Sequence, residues 1–298
     1  MPELPEVETI VRDLARPLTG ATIDRFDLRR RDMLRAGENL LRSLTRARIL
    51  RILRQGKRIV IETVPADSTD ANRPLGPCSA TRIVIHLGMS GRLSMSPSAA
   101  PLEPHTHVRV SLGGREDELR FRDPRRFGGV WLFGAKDAKG AAPDVGALGP
   151  DALTISTPNL KAILHTRRQV KAVLLDQRRI AGLGNIYADE ALFRAGIHPL
   201  TPASHLDPAK IAELARAIRA VLQAALRFGG TTLIDYRRPD GQAGSYAAHH
   251  RVYGREGKPC MRCGSRIVRI VAAGRSSHVC PKCQPLVRMN RRAVRTRS

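Results

Sequence analysis

The spacing of apolar side chains predicts a helix near the start of the chain. From Val7 to Leu14 they recur at the three- and four-residue intervals of one helix face, which places the helix over residues 5–15. Pro5 suits its first turn because no hydrogen-bond donor is needed there, and Glu6 suits the positive end of the helix dipole.

After this helix the pattern changes to short runs rich in Ile and Val, separated by Gly, Pro and Asp. Such runs are typical of the strands in a sandwich or barrel-like domain. Residues 65–80 are rich in Pro, Ser and Asp, and we interpret them as a surface insertion. The predicted strands are 48–54, 57–64, 81–87, 107–112, 118–122 and 128–133.

Helical periodicity returns in the second half of the chain. The clearest helix is 208–228, for which Asp207 suits the N-cap and Gly229 suits the residue that ends the helix. Two shorter helices are predicted at 168–177 and 185–195, on either side of a glycine-containing turn.

Four cysteines form two Cys-x-x-Cys pairs near the C-terminus. This arrangement matches a tetrahedral zinc site, and because all four ligands are thiolates, no position is left for water and the metal is structural. Residues 265–279 between the pairs predict a β-hairpin that turns at Gly274 and fixes the position of Arg275. The predicted zinc ligands are Cys260, Cys263, Cys280 and Cys283.

These patterns predict an α+β protein. An N-terminal helix and a β-sandwich-like domain come first, and a helical domain with a C-terminal four-cysteine zinc hairpin follows. The predicted segments are a β-rich domain over 1–135, a linker over 136–151, a helical domain over 152–250, a zinc finger over 251–285 and a basic tail over 286–298.

The charge balance indicates a polyanionic partner. The 298 residues contain 51 Lys and Arg against 27 Asp and Glu, which gives a net charge of +24. An excess of this size favours nucleic acid. No apolar run approaches the ~20 residues of a membrane span, and the acidic N-terminus does not resemble a secretory signal. We therefore expect a cytoplasmic protein that does not bind a membrane.

The first residues could carry covalent chemistry. Removal of Met1 would expose Pro2 as a secondary amine, and an α-amino group with a pKa of about 7.7–8.0 is partly neutral at cellular pH. A neutral amine can attack an electrophilic carbon and form an iminium ion, for which the adjacent Glu3 could serve as acid or base. Lys57, at the head of a predicted strand, could reach a phosphate or a transferred proton.

Six motifs, in order along the chain, resemble the bacterial formamidopyrimidine-DNA glycosylase family. They are MPELPEVET at the N-terminus, HLGMSGRL at 86–93, DPRRFGG at 123–129, GLGNIYADEALFRAGIHP at 182–199, VYGREGKPC at 252–260 and the four-cysteine hairpin. The resemblance implies a bifunctional glycosylase and AP lyase of base excision repair. Its partner would be double-stranded DNA that contains abasic sites or oxidised purines, notably 8-oxoguanine and formamidopyrimidines. It would act as a monomer in the bacterial cytoplasm, at the nucleoid.

The resemblance also implies roles for single residues. Pro2 would attack C1′ of the sugar and form a Schiff base, Glu3 would protonate the sugar ring oxygen, and Glu6 would support the site. Lys57 would contact the phosphate beside the lesion and assist β-elimination. Arg275 would grip phosphate and assist δ-elimination, which leaves a one-nucleotide gap with phosphates at both ends.

The DNA contacts implied by the resemblance follow from the flipped base. A base that leaves the duplex leaves a void, which Met89, Arg125 and Phe127 would fill, with Arg125 paired to the orphaned cytosine. The helical domain resembles the family's helix–two-turn–helix element, and residues 235–247 resemble the loop that covers the flipped base. The residues matched to DNA contacts are His105, Arg125, Arg126, Lys171 and Asn185.

Two other functions stay open. An endonuclease VIII-type enzyme for oxidised pyrimidines would share Pro2, Glu3, the helical element and the zinc hairpin, although Leu4 and the void-filling set favour the purine enzyme. A non-catalytic, zinc-containing protein that binds DNA damage is the second alternative. Binding alone requires neither a free proline amine nor Lys57.

Overall fold

A computed structural model describes three stretches of the chain, residues 1–65, 80–134 and 148–286. Residues 66–79 of the predicted insertion at 65–80, most of the predicted linker at 136–151 and all but the first residue of the basic tail at 286–298 lie outside the described residues. The chain divides into two compact units. Met1–Asp151 and Leu222–His249 form the first, and Ala152–Val221 and His250–Ser298 form the second.

The first unit contains a sandwich of two β-sheets. One sheet has the strand order β1-β7-β8-β6, and the other has the order β2-β9-β5-β4-β3. Neighbouring strands are antiparallel, apart from the parallel pair β2–β9. The strands are β1 (Ile23–Leu28), β2 (Leu34–Ala36), β3 (Ala47–Gln55), β4 (Arg58–Pro65), β5 (Thr81–His86), β6 (Arg92–Pro97), β7 (Thr106–Leu112), β8 (Asp117–Arg122) and β9 (Gly129–Gly134).

Alternation along each strand builds the core between the two sheets. Ile59 and Ile61 of β4 lie in this core, whereas Val60 points to the opposite face and packs with Val84 and Trp131. The four-stranded sheet contributes Ile23, Leu93, Val108, Val110, Leu119 and Phe121 to the same core.

Helix α1 (Leu4–Leu18) packs its apolar face into the same core. It extends beyond the predicted range of 5–15, because Leu18 is fully buried one residue after Pro17. Burial of a leucine side chain contributes about 1.5–3 kcal/mol. That gain is comparable to the roughly 3 kcal/mol that a proline inside a helix costs.

The second unit is helical and ends in a β-hairpin. Ser156 Oγ caps α2 by accepting a hydrogen bond from the backbone N of Asn159 at 3.2 Å. Asp207 Oδ1 caps α5 by accepting one from Lys210 N at 2.7 Å, so the predicted N-cap is confirmed. The elements are α2 (Thr157–Leu164), α3 (Val170–Leu175), α4 (Asn185–Ala195), β10 (Val268–Ala272) and β11 (Arg275–Val279), with α5 (Pro208–Arg227) starting in this unit and ending in the first.

The structure confirms the predicted fold class and most predicted elements. All six predicted strands are present to within one residue at each end, and α4 has the predicted bounds. Strands β1, β2 and β6 and helix α2 are present without having been predicted. Short 3₁₀ turns complete the described structure at Arg31–Met33, Glu38–Leu44, Ala203–His205 and Tyr246–His249.

Candidate active site and nucleic-acid interface

The N-terminal residues are buried and tied down at the first turn of α1. Pro2 and Glu3 are both buried, although chain ends are usually poorly ordered unless something holds them. Glu6 Oε2 accepts a hydrogen bond from the backbone N of Glu3 at 2.8 Å, and Val7 N donates to the carbonyl O of Glu3 at 3.1 Å. Both backbone polar groups of Glu3 are therefore fixed, next to the nitrogen predicted to react.

The other carboxylate oxygen of Glu6 binds the chain just after α5. Glu6 Oε1 accepts a hydrogen bond from Thr231 N at 2.7 Å. Gly230 has a φ of +82°, and a Cβ there would lie 2.8 Å from Glu6 Oε1, so backbone conformation and space both require glycine. The hydroxyl of Tyr236 donates to Gly229 O at 3.1 Å. Burial, followed by the charge of Glu6, raises the pKa of Tyr236, which keeps this donor protonated.

Positive charge gathers where β4 begins and β5 ends. Lys57 lies in the tight turn before β4, and Arg58 pairs across the sheet with His86. Burial, followed by the charges of Arg58 and Lys57, lowers the pKa of His86 to about 4. The imidazole is therefore neutral at neutral pH, and this corner of the sheet suits an anion. His86 is not among the predicted site residues. The one feature of the sequence that could have indicated it is that it is the first residue of the motif HLGMSGRL.

The three predicted void-filling residues lie on two turns that pack against each other. Met89 is 41% exposed on the turn between β5 and β6, and Phe127 is 55% exposed on the turn between β8 and β9. A Cβ on Gly88 would lie 2.5 Å from the carbonyl carbon of Phe127, so the two backbones are in contact. The guanidinium carbon of Arg125 lies 4.6 Å from the centre of the Phe127 ring.

A fully buried carboxylate joins these two turns. Asp123 Oδ1 accepts a hydrogen bond from Ser90 Oγ at 2.6 Å, and its Oδ2 accepts one from Gly128 N at 2.8 Å. Ser90 Oγ in turn accepts one from Arg125 N at 3.2 Å. From β2, Arg35 Nη2 donates to the carbonyls of Arg126 and Gly128, at 3.1 and 3.0 Å. Sequence reasoning missed all three of these supporting side chains, Asp123, Ser90 and Arg35.

Two predicted phosphate contacts flank the same turns. Arg126 Nη1 lies 2.8 Å from Asp32 Oδ2, and this ion pair is about half exposed. A phosphate would therefore compete with Asp32 for the guanidinium. His105 is exposed with a φ of +69°, and its carbonyl accepts a hydrogen bond from Asp123 N at 3.1 Å.

In the second unit, Lys171 lies in a buried ion pair. Its Nζ is 2.7 Å from Asp189 Oδ1, and both side chains are essentially unexposed. The same Nζ donates to Ser276 O at 3.2 Å and to Ser277 Oγ. A buried charge needs such partners. The contacts shown therefore hold β11, and the predicted closeness of Lys171 to a lesion stays a prediction.

Asn185 and Arg275 are associated with the same strand. Asn185 Nδ2 donates to Ser276 O at 2.9 Å, and Asn185 is the first residue of α4. Arg275 is exposed at the start of β11. The two residues before it, Ala273 and Gly274, both have positive φ, which is the geometry of a tight hairpin turn. The contacts of Lys171 and Asn185 therefore fix the residue next to Arg275.

The four paired cysteines converge as a zinc site requires. Their sulfur atoms all lie within 4.8 Å of one another. The Sγ–Sγ distances are 4.0 Å between Cys260 and Cys283 and 3.4 Å between Cys263 and Cys280. Zinc–sulfur bonds of about 2.3 Å place the sulfurs of a tetrahedral site about 3.8 Å apart, so the residues fit the metal. Zinc held by four thiolates would have no open position and would serve to hold the hairpin.

This fold and this set of residues define a zinc-finger DNA glycosylase. A model of the formamidopyrimidine-DNA glycosylase N-terminal domain matches residues 1–130, and a model of that enzyme's helix–two-turn–helix domain matches residues 148–236. A model of the zinc finger found in this enzyme and in isoleucyl-tRNA synthetase matches residues 257–286. The chain belongs to the formamidopyrimidine-DNA glycosylase family, and the prediction of one structural zinc is confirmed.

Individual relatives agree with this assignment. A formamidopyrimidine-DNA glycosylase of Rhizorhabdus wittichii is 43% identical over 288 residues, which cover 95% of this chain and all of the relative. The crystal structure of the Thermus thermophilus enzyme has a TM-score of 0.79 at 39% identity and covers 95% of this chain and 98% of that one. A Lactococcus lactis enzyme in complex with DNA containing an abasic site has a TM-score of 0.82 at 31% identity, with 95% and 99% covered.

The helices give no indication of a membrane span. Within residues 1–65, 80–134 and 148–286, no helix has both the length and the apolar composition that crossing a bilayer requires.

Proposed function

We propose that this chain excises oxidised purines from double-stranded DNA and then cuts the strand, with the amine of Pro2 as the nucleophile. Membership of the family makes it a DNA glycosylase of base excision repair, and AP lyase cleavage is the family's known second activity. Oxidised purines are favoured because the three residues that set the purine enzyme apart, Met89, Arg125 and Phe127, lie on two turns in contact.

The buried, hydrogen-bonded N-terminus is the observation that carries this proposal. Once Met1 is removed, the Pro2 nitrogen becomes a secondary amine on a backbone that Glu6 holds through Glu3. A fixed amine in a buried site can approach a sugar carbon with little loss of entropy. A protein that only binds DNA would gain nothing from tying down its first residues in this way.

In the proposed reaction, the Pro2 nitrogen forms a bond to C1′ and loses its proton while the bond from C1′ to the base breaks. The base leaves with the bonding electron pair and takes up a proton. Glu3 protonates the ring oxygen, the ring opens and the nitrogen is left as an iminium. That electron sink lets a C2′ proton leave as the bond from C3′ to its phosphate breaks, with Lys57 assisting. In the second elimination the C4′ proton leaves as the bond from C5′ to its phosphate breaks, with Arg275 assisting. Water then hydrolyses the imine and frees the Pro2 amine.

The remaining predicted residues hold the DNA. His105, Arg126 and Asn185 contact phosphates, and Lys171 fixes the strand that carries Arg275. The zinc holds the finger, and the enzyme acts as a monomer in the bacterial cytoplasm. The domain limits predicted above, 1–135, 152–250 and 251–285, stay part of this proposal.

Borohydride trapping tests the proposed function. With a duplex containing 8-oxoguanine, reduction should convert the imine into a stable covalent complex of protein and DNA. Full excision without any trapped complex would exclude the mechanism. An uncleavable tag before Pro2 should abolish excision and spare DNA binding, whereas the same tag at the C-terminus should leave both unchanged.

The choice of lesion separates the two alternatives. A duplex with thymine glycol is the preferred substrate of an endonuclease VIII-type enzyme, and faster excision from it would overturn the purine assignment. Binding to both duplexes without cleavage of either, by protein that lacks Met1, would show a non-catalytic damage-binding protein.

A further inference from the structure

A loop over residues 231–245 leaves the end of α5 and returns to its own starting point, all within the first unit. Thr231 and Ser245 form an isolated β-bridge. Next to it, Thr232 N donates to Gly244 O at 3.3 Å, and Gly244 N donates to Thr232 Oγ1 at 2.9 Å. The neck of the loop is therefore closed by backbone pairing.

The far part of this loop is tied to α1 by an ion pair. Arg238 Nε donates to Asp13 Oδ2 at 2.9 Å, and Arg238 Nη2 donates to Asp13 Oδ1 at 3.1 Å. Arg238 itself begins a tight turn, in which Gly241 N donates to Arg238 O at 2.9 Å and Arg238 N donates to Gln242 O at 2.9 Å. Pro239 restricts this turn further. Because the backbone of Arg238 is stiff, holding its guanidinium also holds the loop.

Two exposed apolar side chains lie between these anchors. Leu233 is 54% exposed and Ile234 is 80% exposed. On the near side Thr231 is bound to Glu6, and on the far side Tyr236 is buried. Apolar side chains held in water on a fixed backbone suit the face of an unstacked base, which must be gripped outside the duplex during excision.

We infer that Asp13 and Arg238 are a positioning pair for base excision. By tying the loop to α1, which also carries Glu6, they set where Leu233 and Ile234 meet the extruded base. The inference rests on the proposed function. It requires that loss of the pair slows excision of a base and does not slow strand cleavage at an abasic site, where the base is already absent.

Two substrates measured under single-turnover conditions, with enzyme in excess, test this inference. Asp13→Asn and Arg238→Gln should each slow excision of 8-oxoguanine by about three- to tenfold, the range for a partly exposed two-pronged ion pair. Cleavage of the same duplex with a preformed abasic site should change by less than about twofold. The charge-swapped double variant, Asp13→Arg with Arg238→Asp, should recover part of the lost excision.

Asp117→Asn provides a matched control. Asp117 accepts two hydrogen bonds from Arg115, at 2.7 and 3.1 Å, in a pair of similar geometry on the same unit, outside the loop. This variant should leave the ratio of the two rates unchanged.

Three results would overturn the inference: wild-type excision in the single variants, an equal loss on both substrates, or no recovery in the double variant. Failure of the proposed function has a different signature, because the wild type would then remove thymine glycol in place of 8-oxoguanine. In that case the positioning pair would be tested by comparing excision of thymine glycol with cleavage at a preformed abasic site. A wild type that removes no base at all would overturn both proposals.

Discussion

At the residue scale, His86 couples the stability of the first unit to pH. Its pKa is about 4 in the folded chain against about 6.5 in an unfolded one, because of burial and the charges of Arg58 and Lys57. Between pH 4 and pH 6.5, His86 is protonated in the unfolded chain and neutral in the folded chain. The contribution of His86 to the free energy of unfolding is therefore complete above pH 6.5 and is lost as the pH falls to 4.

This difference can be measured by urea unfolding across the pH range from 7 to 4. The wild type should lose about 3 kcal/mol more than His86→Asn over this range, at 1.36 kcal/mol for each unit of pKa difference. His205→Asn, at an exposed histidine, serves as the matched control. Parallel curves for the wild type and His86→Asn would show that folding does not lower the pKa of His86.

At the scale of elements, the two turns that carry Met89 and Phe127 depend on one hydroxyl. Ser90 Oγ donates to Asp123 on the second turn and accepts from Arg125 N. Ser90→Ala leaves one oxygen of a fully buried carboxylate without its donor, which costs about 1–3 kcal/mol. It also lets the two turns move apart.

The expected result for Ser90→Ala is weaker binding to DNA with a stable abasic analogue opposite cytosine. We expect a loss of about three- to tenfold in affinity, with a lower free energy of unfolding. Ser98→Ala is the control, since Ser98 Oγ makes an exposed hydrogen bond to Glu116 O. Unchanged affinity in Ser90→Ala would mean that the turns hold their arrangement without this link.

The elements also show where sequence patterns stop being informative. The predicted strands include β4, β5, β7, β8 and β9, which lie inside the two sheets. Of these, β4, β5 and β7 carry continuous or alternating Ile and Val. The missed strands β1, β2 and β6 all lie at sheet edges. An edge strand is short or polar because that discourages pairing with other chains, and this removes the apolar signal. β1, with the sequence IDRFDL, is an example.

The site was predictable to the extent that its residues lie within motifs. Pro2, Glu3 and the four cysteines belong to short patterns whose chemistry is local. The supporting contacts join distant parts of the chain, as in Asp13 with Arg238 and Lys171 with Asp189. Each of these residues alone looks like an ordinary surface charge, so only the fold reveals the pairing.

At the scale of the whole molecule, the net charge of +24 has to be divided between structure and DNA. Several arginines are already occupied within the protein. Arg120, for example, is buried, pairs with Glu118 and donates to the carbonyls of Pro97, Ala100 and Pro101. Such a guanidinium stabilises the sandwich and adds no DNA contact. The number of phosphates neutralised should therefore be far smaller than the net charge suggests.

The salt dependence of DNA binding measures that number. If about five phosphates are neutralised, log K should fall against log salt with a slope of about −4 to −5. Arg126→Gln should make the slope shallower by about one, because this half-exposed guanidinium would exchange Asp32 for a phosphate. Arg115→Gln, at an exposed pair with no predicted DNA role, should leave it unchanged. A slope near zero would mean that the excess positive charge makes no phosphate contacts. A slope approaching the net charge would mean that many basic residues outside the predicted set also contact phosphates.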